Sequence, residues 1–117
     1  MWGDGSSLRE FTFSGDIARI LLFLLDEYHS AEPCNVGLTV ETSIKDVAKT
    51  ICNNLDFDYN TIVWDDSKPA GQHRKPSSNE KLIQLGWSQD MFTSLEEGLE
   101  SVCSWFRSEY PNVRGIK

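Results

Sequence analysis

Apolar residues recur along the chain with two periods, and together they predict a mixed α/β domain. Glu10-Phe11-Thr12-Phe13 alternates polar and aromatic positions and predicts a short strand. Ile17, Ile20, Leu21 and Leu24 follow at helical spacing, which predicts a helix capped by Ser14 or Asp16 and running to about Tyr28. That helix carries the longest apolar run, Ile20 to Leu25, so burial on more than one side is expected. Beyond Pro33 a short strand is predicted around Cys34 to Gly37. Ser43 with Asp46 offers a partial capping pattern, and Ile44, Val47, Ala48, Ile51, Cys52 and Leu55 then form the clearest amphipathic stripe. Thr61-Ile62-Val63-Trp64, rich in β-branched and aromatic residues, predicts a third strand. Asn79 to Leu85 predicts a short helix capped by Ser77 or Ser78 and stopped at Gly86. Ser94-Leu95-Glu96-Glu97 is a full capping box for a last helix to about Tyr110, with Leu95, Leu99, Val102 and Phe106 inward and Pro111 as terminator. There is no internal repeat, low-complexity tract or long linker.

Length and charge narrow the function classes. The 117 residues suffice for one domain, burying ~65% of the surface that the unfolded chain exposes. A net charge of -7 argues against a nucleic-acid or anionic-membrane partner, both of which need a sustained positive surface. The longest apolar run is far too short to span a bilayer, and no N-terminal signal pattern is visible. Cys34, Cys52 and Cys103 are odd in number and widely spaced. They read as small hydrophobes of a reducing, cytoplasmic compartment rather than as a disulfide framework.

Against this acidic background, residues 65–76 gather Lys68, His73, Arg74 and Lys75 into a segment broken by Pro69, Gly71 and Pro76. A loop that collects cations in an acidic chain is suited to holding an anion. Other chemistry is not encoded. No glycine-rich βα turn, Walker A loop or Y-x-x-x-K pair occurs, and two histidines without a close cysteine pair argue against structural zinc. Asp65 and Asp66 are adjacent, so in extended chain they point to opposite faces and read as solvated loop acids.

Four ordered blocks span nearly the full length. They are Trp2-Gly3-Asp4-Gly5 with Arg9-Glu10-Phe11-Thr12-Phe13-Ser14 and Asp16-Ile17-Ala18-Arg19; Glu41-Thr42-Ser43-Ile44-Lys45-Asp46; Lys68-Pro69-Ala70-Gly71-Gln72 with Arg74-Lys75; and Cys103 with Trp105-Phe106. Through them the chain resembles the C-terminal third of the GDP-L-fucose synthases, NADPH-dependent 3,5-epimerase-4-reductases of the extended short-chain dehydrogenase/reductase family. The resemblance implies that residues 1–117 form the small α/β substrate-binding lobe of an NAD-dependent epimerase/dehydratase-type domain, without its Rossmann nucleotide-binding half. It implies a GDP-sugar as ligand. It also implies NADP(H) as cofactor of a full-length enzyme but not of this chain alone, and a homodimer whose interface lies largely outside these residues.

The resemblance also assigns roles. Trp2 and Arg9 match residues that line the nucleotide-sugar pocket, and Lys68 matches a loop cation. An indole face packs on a sugar or base, and a guanidinium fork suits diphosphate oxygens. The plainer readings are a surface tryptophan on a frayed terminus and a solvated charge beside a strand. Ala70 stands where the family loop carries a substrate-contacting aspartate, a departure that weakens binding or marks a non-catalytic copy. The family's Ser-Tyr-Lys and Cys/His catalytic groups match nothing in this chain. Two readings therefore stand open: the substrate-binding part of a longer epimerase-reductase, and a non-catalytic nucleotide-sugar-binding or interaction module. In either case the isolated chain is expected to expose apolar surface on the helix at 16–28.

Overall fold

The computed structural model describes residues 1–115. The elements in chain order are β1 (Leu8–Glu10), α1 (Ser14–Glu27), β2 (Glu41–Ser43), α2 (Ile44–Leu55), α3 (Glu80–Gln84) and α4 (Leu95–Glu109), with single 3₁₀ turns at Tyr59–Thr61 and Gln89–Met91. β1 and β2 form an antiparallel ribbon with Leu8 opposite Ser43, Arg9 opposite Thr42 and Glu10 opposite Glu41. The fold is thus small α/β as expected, with far less sheet than the residue types suggest.

The strand predictions are corrected in three places. The first strand lies two residues earlier than Glu10–Phe13, because Glu10 is the last residue to find a partner on β2 and Phe11-Thr12-Phe13 leads into α1. Residues 34–37 are not a strand. Val36 and Cys34 pack against the core while Gly37 O accepts from Asn79 Nδ2 at 3.0 Å. At 61–64 the chain leaves a 3₁₀ turn and reaches only an isolated parallel bridge between Trp2 and Asp65. Its β-forming residues are spent on extended chain that lacks a neighbouring strand.

Helix ends follow the capping chemistry more closely. Ser43 Oγ accepts from Asp46 N at 3.1 Å and donates to its carboxylate at 2.5 Å. At α4 the complete capping box forms: Ser94 Oγ accepts from Glu97 N at 3.3 Å, and Glu97 Oε2 accepts from Ser94 N at 3.2 Å. α1 departs from expectation. Its cap position is Phe13, without a side-chain cap, and Asp16 sits inside the first turn. α3 starts after Asn79, not at a serine, and the Asn79 side chain gives it no cap because it donates to Gly37 O.

The core forms where α1 meets the segment after α3. Ile20, Leu82 and Trp87 are buried, with Phe23, Leu24 and Phe92 packed around them. Phe23 and Phe92 meet Trp87 edge-on, with ring centroids 5.5 and 6.0 Å away. A second layer joins α2 to α4 through Val47, Ala48, Cys52 and Cys103. Here the inward face of α4 is rotated from the predicted stripe: Gly98 and Cys103 are buried and Val102 is exposed. Gly98 lets the Phe13 ring approach, since a Cβ there would lie 3.5 Å from Phe13 atoms. Leu21, placed inward by periodicity, is likewise exposed. All three cysteines are free thiols.

Asp16 ties the layers together. Only 1% exposed, its carboxylate accepts from Arg19, from Thr93 N at 2.8 Å and from Thr93 Oγ1 at 2.9 Å. Arg19 also donates to Met91 O at 2.8 Å and stacks over Trp87. The start of α1 is thereby fixed to the segment that leads into α4.

Candidate functional site

The cationic loop is seated on the N-terminal segment by backbone contacts. Gly3 N donates to Asp65 O and Leu8 N donates to His73 O, both at 2.8 Å. The buried Ser7 hydroxyl donates to Ala70 O at 3.2 Å. The Trp2-Gly3-Asp4-Gly5 segment allows this approach for a steric reason. Gly3 has φ +74°, and a Cβ on it would stand 2.9 Å from the Ala70 Cβ. Gly5 has φ +75°, and a Cβ there would meet the Trp64 ring at 2.5 Å. Both glycines combine a left-handed conformation with a close packing approach, which only glycine supplies without strain.

Between the two segments lies an open cleft of about 590 Å³ lined by Gly3, Asp4, Ser6, Ser7, Asp66, Lys68, Pro69, Ala70, Gly71 and His73. Lys68 and Ala70 therefore come together in one cleft. Arg9 lies at its margin: its guanidinium donates to Leu8 O at 2.6 Å, and a terminal nitrogen lies 3.8 Å from the position of a Cβ on Gly71. Trp2 is 73% exposed, and its backbone bridges to Asp65. It sits beside the cleft without lining it.

The loop cations do not act as one group. Arg74 is turned away to Glu41, with Nε 3.0 and 3.1 Å from the two carboxylate oxygens and a further short contact from its terminal nitrogen. That pairing holds the Glu41 carboxyl below its ordinary pKa, through hydrogen bonding first and the guanidinium charge second, and raises that of Arg74. Glu10, directly across the ribbon, accepts from Ser77 N at 3.0 Å and Ser77 Oγ at 2.6 Å. Glu10 and Glu41 share one face of the ribbon and Arg9 the other, since successive strand residues alternate. The two acids therefore staple the end of the loop, while Lys68 and His73 remain at the cleft.

Sequence reasoning did not place Asp4, Ser6, Ser7 or Asp66 at the site. Asp4 accepts from Ser6 N at 2.9 Å and Ser6 Oγ at 2.7 Å. These bonds, the backbone one foremost, hold its carboxyl below the usual range. The available signal was the pair of flanking glycines, which mark a backbone shaped for close approach. Hydroxyls, carboxylates, the Lys68 ammonium and the His73 imidazole around an open cleft suit a polar ligand with phosphate and hydroxyl groups. Among the described residues no cluster of three potential metal ligands occurs. Two cavities flanking Phe11, of about 350 and 250 Å³, are lined by neither Lys68 nor His73.

Known proteins similar to this chain share a family and a fold. The profile of the NAD dependent epimerase/dehydratase family matches residues 1–37. The putative GDP-L-fucose synthase 2 of Arabidopsis thaliana is 40% identical over 106 residues, covering 91% of this chain and 31% of that protein. A crystal structure of a GDP-L-fucose synthetase from Naegleria fowleri bound to NADP superposes with a TM-score of 0.85 at 34% identity, over 97% of this chain and 36% of that one. The chain is similar to GDP-L-fucose synthases along nearly its whole length, and its fold matches that of the NAD-dependent epimerase/dehydratase family. It spans about a third of the length of the curated relatives it matches. A dTDP-glucose 4,6-dehydratase from Bacillus anthracis shares the fold at a TM-score of 0.85 and 19% identity.

NADP is bound by the Naegleria fowleri relative, and the passage from β1 to α1 in this chain does not fit a dinucleotide. β1 passes into α1 through Phe11-Thr12-Phe13, without the glycines that let a backbone approach a pyrophosphate. No helix among the described residues is long and apolar enough to cross a membrane.

Proposed function

We propose that this chain supplies the nucleotide-sugar-binding part of a GDP-L-fucose-synthase-type enzyme. The reaction of such an enzyme converts GDP-4-dehydro-6-deoxy-D-mannose to GDP-L-fucose by 3,5-epimerisation and NADPH-dependent 4-reduction. The observation that carries the reading is the cleft itself: the two segments that resemble the family's substrate-contacting blocks, separated by about sixty positions in sequence, close on one another through Gly3, Ser7, Leu8, Ala70 and His73. In this reading Arg9 and Lys68 take the diphosphate, Trp2 packs on the sugar or base from the cleft margin, and residues 1–117 act as one substrate-binding unit in the cytoplasm. Hydride transfer and epimerisation belong to residues outside this chain, as does the bulk of the homodimer interface.

Calorimetric titration with GDP and GDP-mannose tests the reading. Saturable binding is expected, weakened about tenfold or more in Arg9→Ala, the loss of roughly one charge-assisted hydrogen bond. Near-UV circular dichroism should be unchanged in that variant. No binding by a chain with fixed tertiary structure would refute it. A second reading, binding without service to catalysis, rests on Ala70, which leaves the loop without the carboxylate that the family pattern has there.

A further inference from the structure

The cleft lining holds more negative charge than a diphosphate site needs. Asp4 and Asp66 stand in it together with Lys68 and His73. A carboxylate facing phosphate oxygens repels them, so a cleft made for the diphosphate alone gains from neither acid. Ionised carboxylates only accept hydrogen bonds, and their partners on a nucleotide sugar are its hydroxyls and the N–H edge of its base. Ala70 offers no carboxylate from the loop side, and its Cβ lies 2.9 Å from the place of a Cβ on Gly3. The next residue is Asp4. The N-terminal wall therefore carries an acid beside the point where it meets Ala70.

Asp4 is also held in place. Ser6 N and Ser6 Oγ both donate to Asp4 Oδ1, at 2.9 and 2.7 Å. On either side, Gly3 N donates to Asp65 O at 2.8 Å and Gly5 O accepts from Lys45 N at 3.0 Å. An acceptor set in advance loses little freedom when a ligand binds. With Oδ1 filled by Ser6, Oδ2 is the oxygen left for that ligand. The adjacent N–H groups of guanine call for both carboxylate oxygens at once, whereas a hydroxyl needs one. We infer that the Asp4 carboxylate accepts a hydrogen bond from a ligand hydroxyl, on the ribose or the hexose of a nucleotide sugar. Asp4 thereby selects for the sugar part of the ligand while Lys68 takes the diphosphate. The inference rests on the proposed reading of the cleft and adds to it a residue that sets specificity.

Calorimetric titration of the full chain with GDP, 2′,3′-dideoxy-GDP and GDP-mannose tests it, in the parent, Asp4→Asn and Asp66→Asn. Asparagine keeps a carbonyl oxygen for the Ser6 bonds and removes the charge. If the ribose is the source, the parent should bind GDP about tenfold more tightly than the dideoxy ligand, as one hydrogen bond to a charged group would give. Asp4→Asn should bring that ratio close to one. If the hexose is the source, the same variant should instead remove an advantage of GDP-mannose over GDP. Ratios that survive in Asp4→Asn, or that collapse only in Asp66→Asn, would overturn the inference and leave the cleft reading intact. So would an equal gain in affinity for all three ligands, which would make Asp4 only a repelling charge. Equal affinities of the parent for all three would overturn it with no substitution made, so the outcome does not depend on how a variant folds. No binding of any ligand by a parent with native near-UV dichroism would refute the cleft reading and this inference with it.

Discussion

Three residues carry the sharpest consequences at the smallest scale. Ala70 leaves the loop without a carboxylate, and its side chain lies against Gly3 at the cleft. Ala70→Asp should therefore raise affinity for a GDP-sugar about tenfold if the family geometry is intact, as one added charged hydrogen bond would. An unchanged or weaker titration would show that the loop is set differently. Gly3→Ala should do the reverse, because its Cβ would collide with residue 70 in a backbone conformation that alanine resists. Asp16 acts on stability instead. Burial pushes its carboxyl up, but hydrogen bonds from Arg19 and Thr93, with the Arg19 charge, outweigh that and hold it below the ordinary value. A carboxyl held low in the folded state adds stability that is complete above its unfolded pKa, about 4. That contribution disappears as pH falls through the lower, folded value. In urea unfolding, Asp16→Asn should be less stable than the parent by about 2 kcal/mol at pH 7. The gap should close below pH 4, and a gap independent of pH would contradict this assignment.

At the scale of elements, what was legible in the sequence was local. The Ser43 cap and the Ser94 capping box start α2 and α4 where their chemistry says, since the information lies within four residues. Ser94→Ala should cost about 1 kcal/mol in chemical denaturation. The strands were less legible because pairing is not local. β1 ends at Glu10 only because β2 ends opposite it, and no feature of Phe11-Thr12-Phe13 shows this. The loop shows the same limit. Its cations predict an anion site, yet Arg74 is taken by Glu41 from thirty-three positions away, which leaves Lys68 and His73 at the cleft. Arg74→Ala should therefore accelerate hydrogen exchange of the Leu8 amide, whose acceptor is His73 O, and weaken binding through loop position. Lys68→Ala should weaken binding with that amide unchanged. Equal exchange in both variants would remove the distinction.

For the whole molecule, shape is the informative property. The Cα radius of gyration is 16.7 Å, with extents of 48 × 33 × 28 Å, against about 13 Å for a compact domain of this length. An extended body with exposed Leu21, Leu22, Leu25 and Trp105 fits a chain that spans about a third of its relatives. The expected apolar exposure on the helix at 16–28 is what α1 displays. Its particular stripe was not legible, because helical periodicity placed Leu21 inward and could not tell a core face from an unpaired one. The cleft was legible only through the resemblance of separate blocks, for nothing in residues 2–9 alone points to residues 65–73. The most direct measurement of the central claim is an amide NMR titration of the ¹⁵N-labelled chain with GDP-mannose. The account predicts saturable shifts confined to residues 3–9 and 66–73. Shifts centred instead on the cavities around Phe11 and Leu38, or none in a spectrum with native dispersion, would contradict it.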